Sequence, residues 1–288
     1  MSASPPTLSE LRRKPHWSYS SINGFLNICS LQWAFKYVYQ QPAQFTPANL
    51  VLGKVFHQAA TFVASCRKDG KAYKQEAVLD LYQGLLTQAV KLAEPKVKFN
   101  PDNGTFNQLV AQGQLMLTAW MSSLDPAEKV LEVSQAFAVP MEDAEGEELE
   151  RSLIGEFDCV VEVNDSPIIA DWKTAARRWP DSKVRIDLQP TCYLYAWRKM
   201  GNKREARFRF DVVTKTKVPA VEHYLTVRDE DRFRRLGEMV RVIERMVRQE
   251  HFLPAECSFA CADCPWSGAC TSWHRERNRS HYHLALAA

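Results

Sequence analysis

Gly155-Glu156-Phe157-Asp158-Cys159-Val160-Val161-Glu162-Val163 is followed by Asn164-Asp165-Ser166-Pro167 and then by Ile168-Ile169-Ala170-Asp171-Trp172-Lys173-Thr174. Two β-branched runs flank a tetrad of strong turn formers, which reads as a β-hairpin. If Val163 pairs with Ile168, Asp158 stands opposite Lys173 and Asp171 is its diagonal neighbour. Asp171 and Lys173 share a face in any register, because alternate strand residues point the same way. Charges amid Val160, Val161, Ile168 and Ile169 are costly to place unless a function compensates. The bland reading is a salt bridge on a solvated hairpin face. The sharper one is phosphodiester hydrolysis, in which two carboxylates hold Mg²⁺ or Mn²⁺ and a lysine positions water or offsets developing charge.

Outward from the hairpin, Leu131 to Val139, Ala206 to Val213 and Val221 to Val227 are further short β-branched or aromatic runs. Leu188 to Met200 predicts a helix, as does Asp231 to His251, where Phe233, Leu236, Val240, Ile243 and Val247 recur at helical spacing. Residues up to about Val130 read as helical with no alternating strand, interrupted by a loop over Lys96 to Thr105. No internal repeat is visible. The expected architecture is α/β, a mixed-sheet core with a helical N-terminal region and a cysteine-rich C-terminal staple. Its expected divisions are a helical region over 1–130, the core over 131–228, and a C-terminal helix, cysteine cluster and tail over 229–288. The polar tail after Trp273 is expected to be weakly ordered.

The sequence Gly155-x-x-Asp158, the turn, Asp171-Trp172-Lys173-Thr174 and Gln189-x-x-x-Tyr193 resemble the RecB-type branch of the PD-(D/E)XK nucleases, and the implied fold is restriction-endonuclease-like. Gly53-x-x-x-His57 upstream matches the branch's metal-binding histidine motif, with Ser20, Phe25 and Cys29 before it. The resemblance implies that His57, Asp158, Asp171 and the backbone carbonyl of Trp172 are metal ligands. It makes Lys173 catalytic and sets Gln189 and Tyr193 in the same site. Separation by four residues independently puts Gln189 and Tyr193 on one helical face. Taken alone, a histidine such as His57 is more often a satisfied helix residue than a ligand, and a tyrosine such as Tyr193 more often core.

Cys257, Cys261, Cys264 and Cys270 cluster near the C-terminus, where short loops can return several thiolates to one soft metal. The spacing of the last three, with a lone cysteine far upstream, resembles the iron–sulfur staple of AddB-type and CRISPR-adaptation nucleases. That resemblance nominates Cys29, Cys261, Cys264 and Cys270 as ligands of a [4Fe–4S] cluster. Local geometry instead nominates Cys257 and a structural Zn²⁺ within one loop. Cys66, Cys159 and Cys192 sit in periodic apolar segments and are expected in the core.

The chain has 288 residues, 45% hydrophobic and 25% charged, an ordinary globular balance, and its net charge of +3 does not by itself announce a nucleic-acid binder. No run approaches the length of a membrane span, and clustered cysteines suit a reducing compartment, so a cytoplasmic protein without a membrane role is expected. Arg177, Arg178, Lys183 and Arg185 with Trp179 form a basic aromatic stretch that could track phosphates and stack a base, or be a solvated loop. Arg234, Arg235, Arg241, Arg245 and Arg248 read as the exposed face of the long helix. The resemblance implies a divalent-metal-dependent DNA nuclease, an exonuclease on single strands or DNA ends, in repair, recombination, phage replication or CRISPR adaptation. The competing readings are a non-catalytic DNA-binding or assembly module and a nuclease subunit active only beside a helicase, integrase or recombination partner. The chain has no helicase phosphate loop, so any motor would be another chain.

Overall fold

The computed structural model describes residues 6–99, 104–256 and 258–285. The first part is mainly helical: α1 (Leu8–Leu11), α2 (Tyr19–Asn23) running into a π-helical turn (Gly24–Ile28), and α3 (Ser30–Tyr37). Then come β1 (Thr46–Pro47), α4 (Ala48–Lys68), α5 (Gln75–Leu92), β2 (Val97–Lys98) and α6 (Phe106–Ser122). The two-residue strands β1 and β2 pair in parallel, inside segments the sequence offered as helix and loop. The sheet region follows as β3 (Lys129–Val139), β4 (Leu153–Val163), β5 (Ser166–Ala175), α7 (Asp181–Ile186), α8 (Gln189–Lys199), β6 (Arg207–Thr214) and β7 (Val221–Thr226). The chain closes with α9 (Glu230–Arg248) and α10 (Ser267–Ala285).

Five strands lie in the order β3-β4-β5-β6-β7, antiparallel except for the β5–β6 pair. A parallel pair needs a crossover, supplied here by α7 and α8. This is the mixed α/β sheet expected of a restriction-endonuclease-like core. Pro190 in the first turn of α8 uses a helix position that needs no donor. Asp229 caps α9 by accepting the Arg232 N–H at 3.0 Å, with Glu230 and Asp231 in the positive first turn.

The hairpin turn is shorter than the tetrad suggested. Asn164 and Asp165 alone form it, both at positive φ (49° and 58°), as the twist of a two-residue hairpin demands. Val163 therefore pairs with Ser166 and Val161 with Ile168, two residues from the expected register. An even slip keeps every side chain on its face. The ladder stops at Cys159–Ala170, one residue short of Asp158, whose carboxylate accepts the Trp172 N–H instead of standing opposite Lys173.

Helices cover both faces of the sheet. On one, Phe157, Ile169, Phe208 and Phe210 pack with α8, α9 and the N-terminal Trp17 and Trp33. On the other, Val161, Ile168, Ala170 and Trp172 lie beneath Val55, Phe56, Tyr82 and Trp120 from α4, α5 and α6. Burial on both sides explains why β5 is apolar almost throughout instead of alternating. Trp17 is fully buried, and its Nε1 donates to the buried Glu244 Oε1 at 2.9 Å, tying the N-terminal segment to α9.

Cys66, Cys159 and Cys192 are buried as expected, and burial pushes the Cys159 thiol up to about 12. Arg234, Arg235, Arg245 and Arg248 are exposed, and Arg241 pairs with Glu238. The solvated-loop reading of the basic stretch fails in part, since the stretch contains α7, and the described part of the tail after Trp273 belongs to α10. Trp179 is also not free for a base: its ring packs on Phe210 (5.0 Å) and Tyr224 (6.4 Å), with the Lys183 ammonium 4.4 Å from its centre.

Between β6 and β7, His223 Nδ1 lies 2.6 Å from Asp211 Oδ1, and Asp211 in turn meets Arg209 Nε at 2.8 Å. The hydrogen bond to Asp211 outweighs burial and holds the His223 imidazolium above its ordinary pKa. Its stabilisation is therefore full below about pH 6.5 and is lost as pH rises through the raised value. His223→Ala should lower the melting temperature more at about pH 6 than at about pH 9. Equal losses at the two pH values would show that the charged bond contributes nothing.

Candidate active site

The polar cluster forms where β4 and β5 cease to pair. Their ladder ends at Cys159–Ala170, and the Trp172 N–H beyond it donates to Asp158 Oδ2 at 3.0 Å. α4 crosses the face carrying Trp172, its helix meeting Trp120 and Trp172 edge-on, and delivers His57 Nδ1 to 3.3 Å from the same Asp158 oxygen. Asp171 is 1% exposed. Its Oδ2 lies 2.6 Å from Lys173 Nζ, and its Oδ1 accepts from Gln189 Nε2 at the head of α8. The site thus draws on α4 from one sheet face, α8 from the other, and two strand ends between them.

The charges are mutually dependent. Burial pushes Asp171 up, to about 7, helped by Asp158 and opposed by Lys173. For Asp158 burial acts upward too, but His57 and Lys173 hold its carboxyl below the usual carboxylate range. Burial would lower His57 and Lys173, yet the neighbouring carboxylates hold both above their ordinary values. Two acids of opposite tendency beside two cations form a constellation of the kind found at functional sites. The carboxylate oxygens of Asp158 and Asp171 are hard donors suited to Mg²⁺ or Mn²⁺, and the His57 imidazole beside them is a borderline nitrogen donor.

The structure brings His57, Asp158, Asp171, Lys173 and Gln189 together. Tyr193 is shared with the core, its ring packed on Phe137 and Phe157 (5.6 Å each) and Phe208 (5.8 Å). Burial and then the Asp171 and Asp158 carboxylates push its phenol well up. Phe25 is a core residue, and the Ser20 hydroxyl bonds Ser18 at 3.1 Å.

Sequence reading overlooked Asp187, whose Oδ1 accepts the Gln189 N–H at 2.9 Å and whose charge acts on both Lys173 and Tyr19. An aspartate two residues before a helix that begins with Gln189 was the available signal. Glu156, two residues before Asp158, is also pushed up by burial and by Asp158. A separate acidic group, Asp143, Glu145 and Glu238, lies on the β3–β4 connection and α9, where Arg241 already pairs with Glu238 at 2.6 Å.

Cys29, Cys261, Cys264 and Cys270 line one cavity of about 150 Å³, although Cys29 leads into α3 and the others belong to the C-terminal segment. Cys29 Sγ accepts the N–H groups of Gln32 and Ala255, both at 3.4 Å, and Cys264 Sγ accepts from Gln32 Nε2 at 3.4 Å. Burial first, then the nearness of Cys29, Cys264 and Cys261, pushes the Cys270 thiol up. Cys257 lies outside the described residues. Soft thiolates in a partly closed cavity are a donor set that fits iron or zinc.

A mixed sheet with acids and a lysine at parting strand ends defines a class of phosphodiester-cleaving enzymes. The chain belongs to the PD-(D/E)XK nuclease superfamily, whose sequence pattern matches residues 16–271. Its fold is similar to a crystal structure from Eubacterium rectale of a protein provisionally named an exonuclease. That match has 14% identity and a TM-score of 0.54, covering 91% of this chain and 94% of the other. SSO0001 matches at 12% identity and a TM-score of 0.37, covering 80% of this chain and 86% of its own. No curated protein matches. Among the described residues, no helix is long and apolar enough to cross a membrane.

Proposed function

We propose that the chain is a divalent-metal-dependent DNA nuclease of the RecB/AddB-like branch, acting as an exonuclease on single strands or DNA ends. The observation that carries this reading is the convergence of His57, Asp158, Asp171 and Lys173 at the parting of β4 and β5. The provisional name of the E. rectale protein supports the exonuclease direction.

His57, Asp158, Asp171 and the Trp172 carbonyl would hold Mg²⁺ or Mn²⁺, which polarises the scissile phosphate and its attacking water. Lys173 offsets charge developing on the phosphate, and Gln189 fixes Asp171 so that its second oxygen faces Lys173. Asp187 in turn fixes the start of α8 through the Gln189 N–H. Cys29, Cys261, Cys264 and Cys270 would hold a [4Fe–4S] cluster, a reading supported by their shared cavity.

Purified protein should degrade a labelled single strand with Mg²⁺ or Mn²⁺ and stop on chelation; no cleavage with either ion would defeat the proposal. His57→Ala should raise the Mn²⁺ concentration needed for half-maximal activity by about 10–100-fold, since it removes a ligand and the partner of Asp158. An unchanged Mn²⁺ titration would return His57 to a packing role.

A further inference from the structure

The polar cluster depends on where α8 begins, because Gln189, its first residue, holds Asp171 Oδ1 and so leaves Oδ2 to Lys173. Locally that beginning is weakly fastened. Leu188 before it makes no side-chain cap, and the Asp187 carboxylate that accepts the Gln189 N–H at 2.9 Å belongs to the same short corner. The preceding α7 is six residues long, too short to be stable by itself, and it ends in carbonyls with no partner inside it. A firm corner therefore needs a hold from elsewhere in the chain.

Arg228, two residues beyond β7 and half-buried, supplies it. Its Nη2 donates to the Val184 carbonyl at 3.0 Å and to the Asp187 carbonyl at 3.1 Å, in and just after α7. Its Nε donates at 3.1 Å to the hydroxyl of Thr191, which is buried in the first turn of α8. Its Nη1 is anchored on Thr226 Oγ1 and, at 2.8 Å, on the Val227 carbonyl, at the end of β7. All five donors of the guanidinium are thus spent, and none on a carboxylate. A planar fork reaches three elements at once, which the single nitrogen of a lysine does not. Arg232, in the first turn of α9, adds a bond from Nη1 to the Arg185 carbonyl at 3.2 Å.

We infer that Arg228 is a positioning residue for the reaction at Asp171 and Lys173, acting through the corner between α7 and α8. With both carbonyls and Thr191 tied to the end of β7, the Asp187 carboxylate meets the Gln189 N–H and the Gln189 amide meets Asp171. Its donors are all taken, so it has none to offer a phosphate. It therefore sets how firmly the site is assembled, and with it turnover, while leaving affinity for the strand alone. The inference rests on the nuclease reading for its catalytic consequence and on these hydrogen bonds alone for the hold on the corner.

The test is single-turnover cleavage of a labelled oligonucleotide at saturating protein and Mn²⁺, beside binding of the same strand in EDTA and amide hydrogen exchange read by mass spectrometry. Arg228→Lys keeps the charge and loses the fork. It should slow turnover about 10–100-fold, the usual cost of removing an outer partner of a ligand, with strand affinity unchanged. Amides over residues 183–192 should exchange faster. Thr191→Val removes one acceptor at nearly constant shape and should act in the same direction but less, so the test survives if the lysine variant does not fold. In a Gln189→Ala background Arg228→Lys should cost little more, because both changes reach Asp171 by one route, whereas independent structural damage multiplies. Arg198→Lys, whose guanidinium pairs with Glu230 on the exposed side of α8, is the control and should change none of these. Full turnover in both Arg228→Lys and Thr191→Val, a loss confined to strand affinity, or multiplying losses in the double variant overturns the inference. A parent protein that cleaves nothing with Mg²⁺ or Mn²⁺, while the corner still loosens in Arg228→Lys, leaves the hold standing and the nuclease reading fallen.

Discussion

Lys173→Ala should lose about 10²–10⁴ in single-turnover cleavage while binding DNA almost as tightly as the parent. The asymmetry follows from what the ammonium touches. At 2.6 Å from Asp171 and partly buried, Lys173 is placed to meet charge that grows in the transition state, and such a contact acts on turnover more than on affinity. The substitution has a second consequence, because Lys173 is the main group holding the buried Asp171 carboxyl down. Without it Asp171 keeps its proton to higher pH, so residual activity should need more alkaline buffer or more metal. Undiminished cleavage by a variant freed of contaminating nuclease would remove Lys173 from the chemistry.

Cys29→Ser should have the largest effect on stability. Anaerobically purified parent protein should be brown, as thiolate-bound iron is, and the variant bleached. Cys29 and the C-terminal cysteines are far apart in sequence, so a metal joining them closes a loop through most of the chain. For a covalent cross-link of that reach the closure is worth about 4–5 kcal/mol, comparable to the whole stability of many domains. The bleached protein should expose both termini to protease, whereas Cys257→Ser should leave colour and resistance unchanged. A colourless parent holding zinc, with Cys257 needed to retain it and Cys29 dispensable, would replace the cluster with a local zinc loop.

Much of this was legible because strand periodicity and short-range chemistry are written locally. The runs over Gly155 to Val163 and Ala206 to Val213 announce most of β4 and β6, and the Asp171–Lys173 spacing fixes a shared face without tertiary knowledge. Gln189 and Tyr193 share a helix face for the same reason. What failed was non-local or depended on a single conformer. Asn164 and Asp165 take left-handed conformations that close the turn in two residues, a choice that four consecutive turn formers leave open. Trp179 looks available in a basic stretch and is consumed by Phe210 and Tyr224 from neighbouring strands. Asp187 gains its place beside Lys173 only when α8 folds against the sheet.

The two-residue displacement of the hairpin carries a lesson about how its length can change. Because side chains alternate along a paired strand, the geometry of the polar cluster tolerates slips of two: shifting β5 against β4 by a full pleat repeat keeps the Asp171–Lys173 pair on the side that carries α8. A single residue added to the turn can be absorbed by a three-residue loop that leaves the ladder unchanged, whereas one added within β5 inverts the residues beyond it and sends the Asp171–Lys173 pair into the opposite layer. Length variation within the strands is therefore filtered by parity before it is filtered by size, and a bulge, such as the one in β3 between Val130 and Glu132, is the device that restores phase after an odd change.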